Sequence, residues 1–304
     1  MPLKITLDLE SFSSWDDKYV SRFNLDHLLM LFVTKTGKHA TRWKEVIWMH
    51  RGTIFSARCI LRCPPQEIPS LQRLTITQLR WYQESVEGLS FPNCPDIQTL
   101  NLINTIDVND RVAPILFQQS GFSSVEDLTL GKGCLWQSVD LDYMSIFRRI
   151  HTLTLLNFGQ QTNGERVITS TIRVTLPRLR LLRLRGWIPN EILSQIEPPD
   201  HLVVDVGTSD GTGGGLHSIE TLTGTMIATK MTILRLEWPE HAINKVPLNS
   251  IFRLLHNASC LEVVHLSPQA DVLLGHEFEE FRANHNYSFS ICADGCGSLD
   301  QRYP

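Results

Sequence analysis

The stretch "GTSDG", residues 207–211, has the Gly-x-Ser-x-Gly form of a nucleophile elbow, a tight strand-to-helix turn that exposes a serine hydroxyl. Ser209 would be the nucleophile, with Asp271 as the acid and His276 or His285 as the base. An elbow needs a helix directly after its serine. Here "TGGG" follows, and each glycine is about 1 kcal/mol worse than alanine in a helix. A glycine-rich connection is the better reading. The same glycines form no phosphate loop, because no Gly-Lys-Ser/Thr ending follows them.

Two cysteine pairs, Cys59 with Cys63 and Cys292 with Cys296, invite a zinc reading. They stand near opposite ends of the chain, so free thiols and no metal are expected. "HEFEEF" (276–281) carries Glu280 where a zinc-protease helix needs its second histidine. "NAS" (257–259) and "NYS" (286–288) match the glycosylation acceptor pattern, but "MPLKITLDLE" does not read as a secretory leader, so they are expected to stay unmodified. No cofactor is implied.

The remaining candidate is "LRLLRLRGW" (179–187), three arginines alternating with leucines. A basic strip for nucleic acid would want a basic excess and interleaved aromatic platforms. The 304 residues carry a formal net charge of −4, and Asp205 and Glu237 interrupt the arginines, so no nucleic acid is expected. The longest apolar run, "LLMLFV" (28–33), is far short of the roughly 20 residues a membrane helix needs, so no membrane partner is expected. Seven scattered cysteines fit a reducing compartment and an intracellular place, cytoplasmic or nuclear.

What positions these residues is a repeat. Leu179, Leu182 and Leu184 define a pattern of apolar, two others, apolar, one other, apolar. It recurs in "LQRLTI" (71–76), "IQTLNL" (97–102), "VEDLTL" (125–130), "IHTLTL" (150–155), "MTILRL" (231–236) and "LEVVHL" (261–266). "WKEVIW" (43–48) is weaker, "HLVVDV" (201–206) lacks its first apolar residue, and "YSFSIC" (287–292) reads as a degenerate last copy. The nine starts from 43 to 261 are spaced 22 to 30 residues apart, room for a strand, a turn, a helix and a return. Helices are expected over 24–35, 138–149, 247–258 and 270–285, with a poorer candidate over 110–121 that Pro114 interrupts. Such units stack into an α/β solenoid, its parallel strands lining a concave side and its helices and irregular turns a convex side.

Strands of this type and spacing resemble leucine-rich repeats. The tryptophan-bearing "RWKEVIW" and the prefixes "IPSLQRL", "LPRLRLL" and "NASCLEVV" resemble the repeat half of fungal F-box/leucine-rich-repeat proteins, over roughly residues 40–290. That resemblance implies a non-catalytic protein-interaction module, the substrate-recognition part of an F-box-type ubiquitin-ligase subunit. Such proteins open on an F-box, with a Leu-Pro-x-Glu start and a Cys-x-x-Trp end. No such stretch is present, and "LKITLDL" resembles what usually follows it. Either the chain is incomplete or its ligase-docking part is lost. A Skp-type adaptor and a cullin are therefore partners only through an F-box outside this chain. The alternatives are the Ser209 hydrolase and a scaffold on the same frame without a ligase.

Three regions follow: a capping strand and helix over 1–40, about nine irregular repeats over 41–292, and a flexible tail over 293–304. Side chains alternate faces along a strand, so residues two and four after each first apolar position face the concave side. In the last four repeats the first column is Leu181, Val203, Ile233 and Val263, and the second is Arg183, Asp205, Arg235 and His265. Asp205 is expected to pair with its flanking arginines at a surface. An aliphatic stripe rimmed by arginine, with Trp187 and Trp238 just past the strands, is the expected partner-binding surface.

Overall fold

The computed structural model describes residues 2–8, 40–49, 68–77, 80–81, 94–103, 106–107, 122–131, 141–156, 173–207, 217–237, 248–267 and 288–291. Ser209, Asp271, His276, His285, Trp238, the two cysteine pairs and the helices expected over 24–35, 110–121 and 270–285 lie outside them. The chain divides into two compact units, Met1–Ile150 with Gly164–Ile172, and His151–Asn163 with Arg173–Pro304.

In the first unit the strands are β1 (Leu3–Asp8), β2 (Trp43–Met49), β3 (Arg73–Thr77), β4 (Thr99–Ile103) and β5 (Asp127–Gly131). Each pairs in parallel with the next. The register follows the repeat: Glu45, Arg73, Thr99 and Asp127 form one row, and Ile47, Thr75, Asn101 and Thr129 another. Asn101 Nδ2 donates to Thr75 Oγ1 at 3.0 Å, a rung of hydrogen bonding along the polar row. Glu45 accepts ion pairs from Lys4 and Arg73, at 3.0 and 3.6 Å. The intervening Leu74, Leu100, Leu102, Leu128 and Leu130 are buried.

The second unit continues the scheme with β6 (Thr152–Leu156), β7 (Leu181–Arg185), β8 (Leu202–Gly207), β9 (Met231–Leu236), β10 (Val263–Leu266) and β11 (Ser288–Ile291), all paired in parallel. Four helices are described: α1 (Asn190–Gln195), α2 (His217–Leu222), α3 (Met226–Lys230) and α4 (Leu248–Asn257). Leu153, Leu182, Val204, Leu234 and Val264 of the strands are at most 1% exposed, as are Leu193, Ile219, Ile227 and Leu254 of the helices. These apolar faces make the core. The fold is thus an α/β type of mostly parallel strands with few helices.

Six of the strands, β3 to β7 and β10, are entered through the same turn, which the six-residue pattern does not contain. The amide of the first apolar residue bonds to the carbonyl three residues earlier: Leu71 to Ile68, Ile97 to Cys94, Val125 to Phe122, Ile150 to Phe147, Leu179 to Leu176 and Leu261 to Ala258. Both ends of each turn are buried. The true repeat therefore carries one more apolar position, three residues upstream. Cys94 occupies it, fully buried, and burial pushes its thiol up to about 12. Cys260 is exposed. Iodoacetamide at pH 8 should therefore alkylate Cys260 in the folded protein and spare Cys94 until denaturant is added. Equal labelling of the two in the native state would contradict the buried turn.

Three expectations need correcting, and three short helices were not expected. The helix expected over 138–149 is a 3-10 helix over Leu141–Ile146, close-coupled to the Phe147–Ile150 turn. Helices α1, α2 and α3 have five or six residues, too short to show a helical period in sequence. The repeat at 201 does not lack its first core residue: Leu202 is fully buried and stands in register with Met231, through a shift between Leu202 and Val203. His201 is left exposed with φ of 67°, strained for a residue with a side chain. The last copy is displaced by one residue, since Ser288, not Phe289, pairs with Val263, and Phe289 and Ile291 stand in register with Val264 and Leu266.

Candidate functional site

The face of the second unit opposite the helix-backed core carries the two columns. Thr152, Leu181, Val203, Ile233 and Val263 stand on successive rungs, as do Thr154, Arg183, Asp205, Arg235 and His265. Neighbouring strands lie about 4.8 Å apart, which brings all eight strand residues expected at the site onto one patch. Leu181, Arg183, Val203, Ile233, Val263 and His265 are half-buried. Trp187 follows β7, also half-buried; Trp238 lies outside the described residues.

Asp205 organises the charged column, in a way the pairing of neighbours did not foretell. It is only 2% exposed, not a surface residue. Its main partner is Arg185, two residues beyond Arg183 along β7. Arg185 donates from Nη1 to Oδ1 at 2.9 Å and from Nη2 to Oδ2 at 2.8 Å, a fork-to-fork pair. It also donates to the Asp205 carbonyl at 3.1 Å. Arg183 Nε stands 3.5 Å from Oδ2 on the same carboxylate.

Gly207 makes this possible. It sits in register with Arg185, and a side chain there would meet the guanidinium: a Cβ would lie 3.0 Å from Nη1 and 3.1 Å from Cζ. The bare backbone lets the arginine lie across β8 and reach Glu237, whose Oε2 is 3.2 Å from Arg185 Nη2. Arg185, Gly207 and Glu237 were missed as site residues. A long cation beside a glycine, with a carboxylate on the following repeat, is the sequence signal that marks such a bridge. "LRGW" then turns at Gly186, whose φ of 84° requires glycine, and the Ser218 hydroxyl donates to its carbonyl.

Arg235 is placed differently. It is 5% exposed, and its Nε has no hydrogen-bond partner among the described residues. The adjacent carboxylate is engaged on its other side, by Arg185 through both oxygens and by Arg183 at Oδ2. Beside it, the His265 imidazole is held below its ordinary range, by burial first and by the charge of Arg235 second.

Arg235 also borders a groove of about 690 Å³. Leu181, Val203 and Ile233 give it an apolar floor, Pro177 and Pro199 stand at its sides, and Arg178, Arg180 and His201 at its rim. Arg183, Asp205, Val263 and His265 are not part of its lining. Arg178 and Arg180 are exposed. Asp200, also at the groove, is engaged by Lys230, which holds its carboxyl below the usual carboxylate range by hydrogen bonding and charge.

Among the described residues no group of three His, Cys, Asp or Glu side chains could hold a metal ion, and no helix is long and apolar enough to cross a membrane. What the patch can do chemically is present hydrogen-bond donors and apolar surface. No model of a known protein family matches the chain, and no curated protein matches it in sequence.

Proposed function

We propose that the chain is a leucine-rich-repeat solenoid that works as a non-catalytic protein-interaction module. On its resemblance to fungal F-box/leucine-rich-repeat proteins, it would be the substrate-recognition part of an F-box-type ubiquitin-ligase subunit. The observation that carries the interaction reading is the patch on the second unit: an aliphatic stripe, Leu181 to Val263, beside a charged column, Arg183, Asp205, Arg235 and His265, in which Asp205 engages Arg183 and the neighbouring Arg185. Parallel strands in repeat register, six of them entered by the same buried turn, support the solenoid. The partner would be a protein, met on the strand-lined face by Leu181, Val203, Ile233, Val263, Arg183, Arg235, His265 and Trp187, with Trp238 as a further candidate. A Skp-type adaptor and cullin would join only through an F-box outside these residues.

The test is quantitative capture from the source cells. Arg183→Glu combined with Arg235→Glu should deplete a specific set of co-captured proteins about tenfold or more, since centrally placed arginines are typical interface anchors. An unchanged set overturns the interaction reading. A Skp-type adaptor captured with the wild-type protein supports the ligase reading, and its absence favours a scaffold that acts alone.

A further inference from the structure

We propose that the groove beside β7, β8 and β9 is a subsite for an acidic, partly apolar peptide segment, with a carboxylate of that segment seated on Arg235. This rests on the interaction reading and specifies the partner's chemistry. Three independent observations converge. The first is Arg235 itself, 5% exposed, at the border of an open groove, with an Nε that has no hydrogen-bond partner among the described residues. A buried donor without a partner is costly, and a ligand acceptor would satisfy it. The second is the charge count of the patch. Among the described residues, Arg183, Arg185 and Arg235 face Asp205 and Glu237, three cations against two carboxylates, and both carboxylates bond to Arg185. The surplus falls at Arg235. The third is the rim: Arg178 and Arg180 are exposed there, and the acidic group at the rim, Asp200, is already neutralised by Lys230.

The floor sets the rest of the chemistry. Leu181, Val203 and Ile233 offer apolar contact two residues back along each strand from the charged column. An extended segment that alternates an apolar with an acidic side chain would match both. Arginine forks suit carboxylates, because two donors lie in the plane that two acceptor oxygens need.

The experiment is panning of a random twelve-residue peptide display library on the full chain. Enriched peptides are then synthesised and their affinities measured against variants. Enrichment of Asp or Glu next to aliphatic residues is expected. Arg235→Gln should weaken the best peptide about tenfold or more, the loss of one charge-assisted hydrogen bond. Arg178→Glu with Arg180→Glu, two exposed positions that should not disturb folding, should weaken it as well and flatten its loss with salt. Arg73→Gln, on the first unit, should leave it unchanged. The proposal is overturned if no peptide enriches, if basic or neutral peptides win, or if a labelled single-stranded oligonucleotide binds in their place. It is overturned too if acidic peptides bind with no dependence on Arg235, Arg178 or Arg180; that outcome leaves the interaction reading standing. Loss of the interaction reading would show separately, as an unchanged captured set for Arg183→Glu with Arg235→Glu.

Discussion

Asp205→Ala should destabilise the protein by about 3 kcal/mol, more than any other single change on the charged face. The carboxylate side chain is 3% exposed and sits under the Arg183 and Arg185 side chains, which are 26% and 17% exposed. Removing it leaves Arg185 without its bidentate partner and leaves three guanidinium groups on neighbouring rungs with mutual repulsion. Breaking a buried pair by deleting one partner costs about 3–5 kcal/mol. The lower end applies, because both arginines retain some access to water and Arg185 keeps Glu237. The measurement is a urea unfolding curve, read as a shift in midpoint at unchanged slope. A loss below about 1 kcal/mol would mean the pair contributes no more than an ordinary surface ion pair. The double variant Asp205→Leu with Arg185→Met should recover most of the loss, since an apolar pair of similar volume often replaces a buried ion pair at little cost.

That prediction depends on a partner that sequence spacing did not single out, and the reason is physical. Register was legible wherever an apolar residue occupied the second and third pattern positions. Leu182, Leu184, Leu234 and Leu236 sit in the core at 0–1% exposure, and Arg183, Asp205 and Arg235 fall on adjacent rungs as the alternation required. Where a pattern position is not apolar, the register slips. His201 yields its place to Leu202, and in the last copy, where Ser290 holds the second position, Phe289 and Ile291 stand in register with Val264 and Leu266. Contacts made by long side chains were not legible. Strand periodicity says which face a side chain takes, but an arginine spans more than one strand spacing, so Arg185 reaches Glu237 across Gly207. The buried turn at Ile68, Cys94, Phe122, Phe147, Leu176 and Ala258 was obscured by its mixed residue types, aliphatic, aromatic, thiol and alanine, which share only their burial. The groove was half legible. Its floor residues lay in the aliphatic column, but its rim arginines, Arg178 and Arg180, come from the turn and entry of the strand, where the pattern places no constraint.

Leu182→Ala should be the most damaging apolar truncation of β7, while Leu181→Ala should be mild. The two side chains are neighbours in sequence and opposite in environment. Leu182 is fully buried, in register between Leu153 and Val204, which are also fully buried. Its truncation removes the transfer free energy of a buried side chain and opens a cavity that two flanking strands, fixed by their backbone ladders, cannot readily collapse into. Such changes cost about 2–5 kcal/mol. Leu181 stands on the groove floor, half-buried, with Thr152 and Val203 beside it. Shortening it exposes no closed cavity and gives up about 1 kcal/mol of apolar burial. On the interaction reading it should instead weaken peptide binding. The contrast is diagnostic, because a one-residue slip in register would exchange the two faces and reverse the order of the two losses. Urea unfolding of both variants decides it: a loss for Leu182→Ala at least 1 kcal/mol beyond that for Leu181→Ala fixes the face of β7 that meets the helices. Equal losses would mean that both faces of the strand are covered, and the open face proposed to receive a partner would not exist.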